Sequence, residues 1–283
     1  MSLPPASYDQ LERAFAAWAQ ARADVRAAVV VGSRARVDPP PDEWSDLDLI
    51  VFTIDMAGYA ADNGWLAQFG TPAITAITYS QRGDAEWIIV FENGLKLDVL
   101  LAPIDPLGPI NTAPYDIVLR YGVRVLFDKS APELKRALER EPMPAGLPAP
   151  DAFRDAVHAF ALDALRGAKF TRRGDLWRAH DTIDGALKRQ LLAMLEWHAL
   201  ALDPARRVWH EGRFIAQWVD RRAAAALPAL FARYDPIDLR RALFATLELY
   251  QWTAAETAQR LGLIDPGRIL QRTAEWLAAI FRE

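Results

Sequence analysis

Two aspartates at the start of an apolar run are the residues of this sequence best suited to chemistry. Asp46 and Asp48 begin the stretch DLDLIVFT, whose other residues favour a buried strand. Since alternate side chains of a strand share a face, both carboxylates point the same way and repel each other unless a cation lies between them. Hard divalent cations such as Mg²⁺ prefer oxygen ligands of this kind. The spacing therefore predicts a metal site at Asp46 and Asp48.

A third carboxylate, Asp98, interrupts the apolar stretch LKLDVLL. The dipeptide Asn93-Gly94 shortly before it favours a type I′ hairpin turn, because both central residues of that turn need positive φ. The hairpin returns the Asp98 strand toward the sheet, where it can pair beside the strand of Asp46 and Asp48. Three acids on neighbouring strands would bind one or two metal ions.

A phosphate-binding turn is predicted where the strand AAVVVG ends. Gly32 lets the backbone approach a ligand closely, and Ser33 adds a hydroxyl donor. A helix that starts there offers free N–H groups to an anion, while Arg34 and Arg36 add positive charge. Together the turn and the carboxylates imply an Mg²⁺-bound nucleoside triphosphate, whose polyphosphate charge the metal neutralises as pyrophosphate leaves.

Composition excludes several classes of protein. The chain has 283 residues, 52% of them hydrophobic, so it is neither disordered nor of low complexity. The absence of cysteine excludes disulfides, thiolate nucleophiles and cysteine-ligated metals. The net charge of −4 argues against a nucleic-acid partner. No stretch has the ~20 apolar residues of a membrane span, and the N-terminus lacks a signal-peptide pattern. We therefore expect a cytoplasmic protein.

The chain predicts two domains and an α+β fold. Strand-forming runs and a capped opening helix indicate a mixed sheet with flanking helices over residues 1–135, and helical periodicity predicts an all-helical bundle over 150–283. The proline-rich stretch EPMPAGLPAP favours a linker at about 136–149. The expected elements are a helix at about 8–22, strands at 27–32, 46–53 and 74–80, a hairpin at 87–102, and helices beginning near Phe153 and at about 175–200, 211–232, 236–262 and 266–282.

Four motifs resemble a known family. The stretches GSRARVDPPPDEWSDLDLIVF, WLAQFG, ENGLKLDVLLAP and KRQLLAMLEWHA look like the aminoglycoside 6-adenylyltransferase (streptomycin adenylyltransferase) family of the polymerase-β-like nucleotidyltransferase superfamily. The resemblance implies a polymerase-β-like sheet domain, ATP, Mg²⁺ and transfer of AMP to an aminoglycoside hydroxyl, in a cleft between the two domains. By position it also implies the site residues: phosphate contacts from Gly32, Ser33 and Lys169, metal ligands Asp46 and Asp48, and Asp98 as third ligand or general base.

The acceptor is predicted to be small, hydroxylated and cationic. An acidic side chain of the helical domain such as Asp163 would bind its ammonium groups, and an aromatic one such as Trp177 would stack on a sugar or base. The resemblance implies an acid before a Phe-Trp pair on the first C-terminal helix, where this sequence has Ala159 and Phe160. Asp163, one turn further on, is the candidate replacement.

Other interpretations stay open. The same chemistry would serve a non-antibiotic acceptor such as another metabolite, a protein or a tRNA end, and a non-catalytic relative would only bind nucleotide. A nucleotide-sugar glycosyltransferase is suggested by Asp-x-Asp alone, but the Gly32-Ser33 turn and Asp98 weigh against it. The oligomeric state, monomer or homodimer, is also open.

Overall fold

Runs of β-branched and apolar residues form a six-stranded sheet in the first half of the chain. The strands lie in the order β3-β4-β5-β2-β1-β6. The pair of β2 and β5 is parallel and the other neighbouring pairs are antiparallel, so the sheet is mixed. The strands are β1 (Val25–Val31), β2 (Leu47–Thr53), β3 (Pro72–Tyr79), β4 (Ala85–Phe91), β5 (Lys96–Pro103) and β6 (Val123–Asp128).

The structure, a computed structural model, describes residues 7–37, 39–80, 83–103, 122–129 and 146–282. The chain divides into two compact units, Met1–Met143 and Pro144–Glu283. Most of the expected linker at about 136–149 lies outside the described residues. No helix within the described ranges combines the length and apolar character that crossing a membrane requires.

The opening helix α1 (Tyr8–Ala21) covers one face of the sheet. Its N-cap is Ser7, whose hydroxyl accepts from the backbone N–H of Gln10 and so satisfies an otherwise free donor of the first turn. Leu11 and Phe15, one helical turn apart, are fully buried. They pack in one core with the helix α2 (Met56–Ala61), the 3₁₀ segment Gly64–Phe69 and the side chains of β2 that alternate with its acidic face, which are Leu47, Leu49 and Val51.

The opposite face of the sheet carries a second apolar cluster. Ile50 and Phe52 of β2 pack there with Val29 and Val31 of β1. Because side chains alternate along a strand, Asp48 belongs to the same row as Ile50 and Phe52. The row of Ile50 and Phe52 thus ends in the carboxylate of Asp48, which belongs to the candidate active site described below.

The hairpin between β4 and β5 is confirmed, but its predicted turn type is wrong. Gly94 has a φ of 82°, whereas Asn93 does not have positive φ. A type I′ turn needs positive φ at both positions. Instead Gly94 N–H donates to Phe91 O at 2.8 Å, and the Asn93 side chain accepts from Leu95 N–H at 3.2 Å. The side-chain hydrogen bond stabilises a three-residue loop in which glycine alone is left-handed.

Every regular element in 146–282 is helical, as predicted. The stretch from Leu176 to Leu202 is continuous, with a π-helical segment (Asp181–Ala186) between α4 and α5. The longest helix, α8, packs against α3, α5, α7 and α9. The α-helices are α3 (Pro150–Arg172), α4 (Leu176–His180), α5 (Leu187–Leu202), α6 (Ile215–Trp218), α7 (Arg221–Leu230), α8 (Pro236–Leu261) and α9 (Gly267–Ile280).

The helix expected at about 211–232 is wrong. Phe214 is left-handed, with a φ of 55°, so helical geometry cannot continue through it. Val219 is extended, and the Asp220 carboxylate then accepts from Arg222 N–H and starts α7 afresh. The apolar periodicity is real, but local backbone geometry divides it into two short helices.

Candidate active site

The parallel pairing of β2 and β5 brings two of the candidate acids together. The register places Asp48 opposite Asp98 and Leu47 opposite Leu97. In a parallel pair, residues at one level point to the same face, so both carboxylates project from the sheet side by side. Asp46 lies one residue before β2 begins and reaches the same group through its side chain.

Lys96 connects the carboxylates of Asp46 and Asp98. Its Nζ donates to Asp98 Oδ2 at 2.8 Å and to Asp46 Oδ2 at 3.0 Å. Lys96 stands two residues before Asp98 on β5, so the two side chains share a face. Lys96 was not among the predicted site residues, although the alternation in LKLD is the signal that would have found it.

Tyr8 is a second residue that the sequence analysis missed. Its hydroxyl donates to Asp46 Oδ1 at 3.3 Å and accepts from the backbone N–H of Lys96 at 3.2 Å. Tyr8 is the first residue of α1, and 88 residues of sequence separate it from Lys96. No local sequence pattern predicts this contact, because it forms only when α1 packs on the sheet.

The site has a surplus of negative charge. Burial raises the pKa of Asp48 to about 6, and the charge of Asp98 adds to the effect. Burial also raises the pKa of Asp98, against the opposing hydrogen bond from Lys96. Burial acts to lower the pKa of Lys96, but its hydrogen bonds to Asp98 and Asp46 outweigh burial, and the pKa is raised. One ammonium group therefore faces three carboxylates.

The Gly-Ser turn packs directly against Asp48. A Cβ at Gly32 would lie 2.6 Å from Asp48 Oδ2, and the φ of Gly32 is +68°, so both space and backbone conformation require glycine. Ser33 is buried. The helix expected after the turn is a single 3₁₀ turn, Gly32–Ala35. The predicted phosphate-binding turn and the predicted metal ligands are thus neighbours in space.

Arg34 connects this turn to the residues before Asp46. Its Nε donates to Ser45 O at 3.0 Å, and its guanidinium lies 4.2 Å from the centre of the Tyr8 ring. A terminal nitrogen lies 3.8 Å from Asp9 Oδ1. These contacts hold the guanidinium near the site, and its role in nucleotide binding stays a prediction.

The donor set fits a hard divalent cation. Carboxylate oxygens are the ligands that Mg²⁺ takes, and Asp98 Oδ1 is buried without a hydrogen-bond partner among the described residues. No group of three acidic or histidine side chains in the described ranges is arranged to hold a metal ion, so a metal here would need further oxygen ligands besides these carboxylates. The carboxylates of Asp46 and Asp98 lie close together, with the Lys96 ammonium between them.

The remaining candidates lie in the helical unit. Lys169 is exposed on α3, and Trp177 on α4 is 77% exposed. Asp163, also on α3, accepts from Arg166 at 2.9 Å and from Gln190 at 2.9 Å, so protein donors already engage its carboxylate. Ala159 is exposed, while Phe160 is buried and stacks on Tyr250 with ring centres 3.6 Å apart.

A comparison with models of known protein families identifies the family of this chain. The family model described as streptomycin adenylyltransferase matches residues 7–280, nearly the whole chain. The chain belongs to this family. The resemblance seen in the motifs is thereby confirmed. The mixed sheet and the helical C-terminal region confirm the predicted α+β fold.

Relatives within the family are distant in sequence. The chain is 27% identical over 193 residues to an aminoglycoside 6-adenylyltransferase of Bacillus subtilis (strain 168), covering 62% of each protein. It is 23% identical over 185 residues to one of Campylobacter jejuni, covering 61% of this chain and 60% of that one. These matches thus span less than two thirds of either relative.

A solved structure of an aminoglycoside 6-adenyltransferase from Bacillus subtilis aligns with 98% of this chain and 99% of its own, at 17% identity and a TM-score of 0.47.

Proposed function

We propose that this protein is an Mg²⁺-dependent nucleotidyltransferase that moves AMP from ATP to a hydroxyl group of a small cationic acceptor, an aminoglycoside such as streptomycin. Membership of the streptomycin adenylyltransferase family supports the reaction, and the names of the relatives support the acceptor class. ATP and Mg²⁺ suit a reaction in the cytoplasm.

The observation that carries the proposal is the contact between the carboxylates and the Gly-Ser turn. Asp48 is level with Asp98 in the sheet, and its carboxylate lies against the backbone of Gly32. A metal held by the acids would therefore lie next to backbone that can approach a phosphate. A carboxylate cluster without this neighbour would be a weaker indication of nucleotide chemistry.

The chain's own residues then have distinct roles. Asp46 and Asp48 hold the metal, and Asp98 either completes its ligands or accepts the proton of the acceptor hydroxyl. Mg²⁺, when bound, neutralises the polyphosphate and stabilises the leaving pyrophosphate. Gly32, Ser33 and Arg34 hold the phosphates, and we also assign Lys169 to them. Partial burial raises the pKa of Asp98, which makes its carboxylate a better proton acceptor.

Asp163 and Trp177 are the proposed acceptor contacts. Asp163 would bind an ammonium group of the acceptor in exchange for Arg166 or Gln190, and the exposed Trp177 ring would cover a sugar. Ala159 is exposed where the family resemblance implies an acid, and this favours a second candidate, a non-antibiotic acceptor with fewer cationic groups.

Pyrophosphate release tests the proposal. We expect Mg²⁺-dependent release from ATP in the presence of streptomycin or one member of an aminoglycoside panel, and adenylated product of matching mass. The Asp46→Asn variant is expected to be at least about 100-fold slower, because it loses a metal ligand. Its thermal unfolding should stay near the wild type, since Asp46 is partly exposed.

The outcomes separate the candidates. Release with a non-antibiotic acceptor alone would support the second candidate. ATP binding without release for any acceptor would indicate a non-catalytic relative, and full turnover by Asp46→Asn would remove these carboxylates from the mechanism.

Tyr8→Phe tests the positioning of Asp46. The variant loses the hydrogen bond to Asp46 and the acceptor of the Lys96 N–H, which costs about 1 kcal/mol of unfolding free energy. We expect kcat to fall severalfold, with little change in KM for ATP. Urea unfolding and steady-state kinetics measure the two effects. Tyr79→Phe, which alters an exposed tyrosine on β3, is the control; identical behaviour of the two variants would mean that Tyr8 positions nothing.

A further inference from the structure

Lys96 occupies a position that a metal ion would be expected to take. Its ammonium lies 2.8 Å from a carboxylate oxygen of Asp98 and 3.0 Å from one of Asp46, and these oxygens come from different segments of the chain. A lysine that only solubilised the surface would extend into water rather than connect two partly buried acids. The lysine is itself only one-third exposed.

Asp98 and Asp48 link Lys96 to the proposed phosphate-binding turn at Gly32 and Ser33. Asp98, held by Lys96, is level with Asp48, and Asp48 touches Gly32. Lysine is a compact cation on a flexible four-carbon stem, so its head can move by several ångströms while its backbone stays in the strand. A nucleotide at Gly32 would thus bring its phosphates within range of the ammonium group.

We infer that Lys96 is an internal competitor of the metal ion, which fills the space between Asp46 and Asp98 in the metal-free protein, leaves when Mg²⁺ binds and then contacts the phosphates of the nucleotide. The inference rests on the proposed function, because it assigns these acids to a metal. It predicts opposite effects of Lys96 on the two ligands. Removal of its charge strengthens binding of the metal alone and weakens binding of the nucleotide.

Mn²⁺ titration without nucleotide tests the first effect. Free Mn²⁺ is followed by electron paramagnetic resonance in the wild type and in Lys96→Met, a neutral side chain of similar length. We expect Mn²⁺ to bind on the order of tenfold more tightly to the variant, because two carboxylates lose a competing cation at contact distance. Lys96→Arg, which keeps the charge, should bind Mn²⁺ no more tightly than the wild type.

A matched control excludes a general effect of charge. Arg26→Met removes an exposed positive charge at the far end of β1 from Gly32 and should leave Mn²⁺ binding unchanged. Should Lys96→Met not fold, Lys96→Gln repeats the test with a polar neutral side chain. Thermal unfolding gives a second readout: saturating Mg²⁺ should raise the midpoint of Lys96→Met more than that of the wild type.

Binding of a non-hydrolysable ATP analogue with Mg²⁺ tests the second effect, with an expected loss on the order of tenfold for Lys96→Met. Equal or weaker Mn²⁺ binding by Lys96→Met, or unchanged binding of the analogue, overturns the inference while the proposed function stands. Failure of the proposed function is recognised differently. In that case Asp48→Asn leaves Mn²⁺ binding unaltered, and the wild type does not bind the analogue.

Discussion

The Asp48→Asn protein is expected to lose nucleotidyl transfer by at least about 1000-fold and to be more stable than the wild type at neutral pH. The loss of transfer follows from the loss of a proposed metal ligand. The gain in stability follows from the position of Asp48, whose carboxylate lies against Asp98 and is largely withdrawn from water. Asparagine has the same shape and no charge, so it relieves both costs.

The pKa of Asp48 determines how the free energy of unfolding changes with pH. The pKa of Asp48 is raised by burial and by Asp98 from an ordinary 3.8 to about 6. Between these values the folded chain retains a proton that the unfolded chain releases, so the free energy of unfolding falls as pH rises. The loss is complete by about pH 7 and is on the order of 3 kcal/mol. Asp48→Asn lacks this group, so its advantage should grow from pH 4 to pH 7.

Urea unfolding of both proteins in the presence of a chelator, at several pH values, measures the difference. Asp55→Asn is the control, because Asp55 is an exposed helix cap and asparagine caps equally well. Added Mg²⁺ should then stabilise the wild type and not Asp48→Asn. A stability difference that does not change with pH would show that Asp48 is not electrostatically strained.

Gly32→Ala is expected to cost both activity and stability. The added Cβ would lie 2.6 Å from Asp48 Oδ2, so the carboxylate or the turn must move. A displacement of about 1 Å at a catalytic group typically costs about 100-fold in rate. The left-handed φ of +68° adds strain of about 1–2 kcal/mol for a residue with a Cβ.

Gly94→Ala is the control that separates backbone strain at positive φ from displacement of the Asp48 carboxylate. Gly94 has a similar φ, +82°, but nothing lies within 4 Å of an added Cβ. Both variants should therefore lose stability in urea unfolding, Gly32→Ala by more because of the contact with Asp48, while only Gly32→Ala loses turnover. Wild-type turnover by Gly32→Ala would exclude the close approach of Asp48 and this turn as a requirement for catalysis.

Several features of the protein could be predicted from short segments of sequence. The alternation in DLDLIVFT and LKLDVLLA predicts two strands with their acids on one face, and Ser7 predicts the start of α1. Such patterns work because side-chain alternation and helix capping depend on neighbours a few residues apart. They were sufficient for the mixed sheet with its helical C-terminal region, while the family was indicated by the resemblance of longer motifs.

Local sequence patterns gave wrong predictions at two places where the backbone could adopt more than one conformation. Asn93-Gly94 favoured a type I′ turn, but the Asn93 side chain stabilises another loop with a hydrogen bond to Leu95 N–H. The periodicity across 211–232 favoured one helix, but left-handed Phe214 interrupts it. In both cases one residue's conformation decided the outcome, and average preferences do not resolve single residues.

Only the tertiary structure decided how the site is assembled. The register of β2 and β5 places Asp48 level with Asp98, and the packing of α1 brings Tyr8 to Asp46 and Lys96. These contacts join residues 38 to 88 positions apart, so they depend on the packing of the whole sheet rather than on any local preference. The sequence by itself determined which carboxylates are present; the fold determined that a lysine lies between two of them.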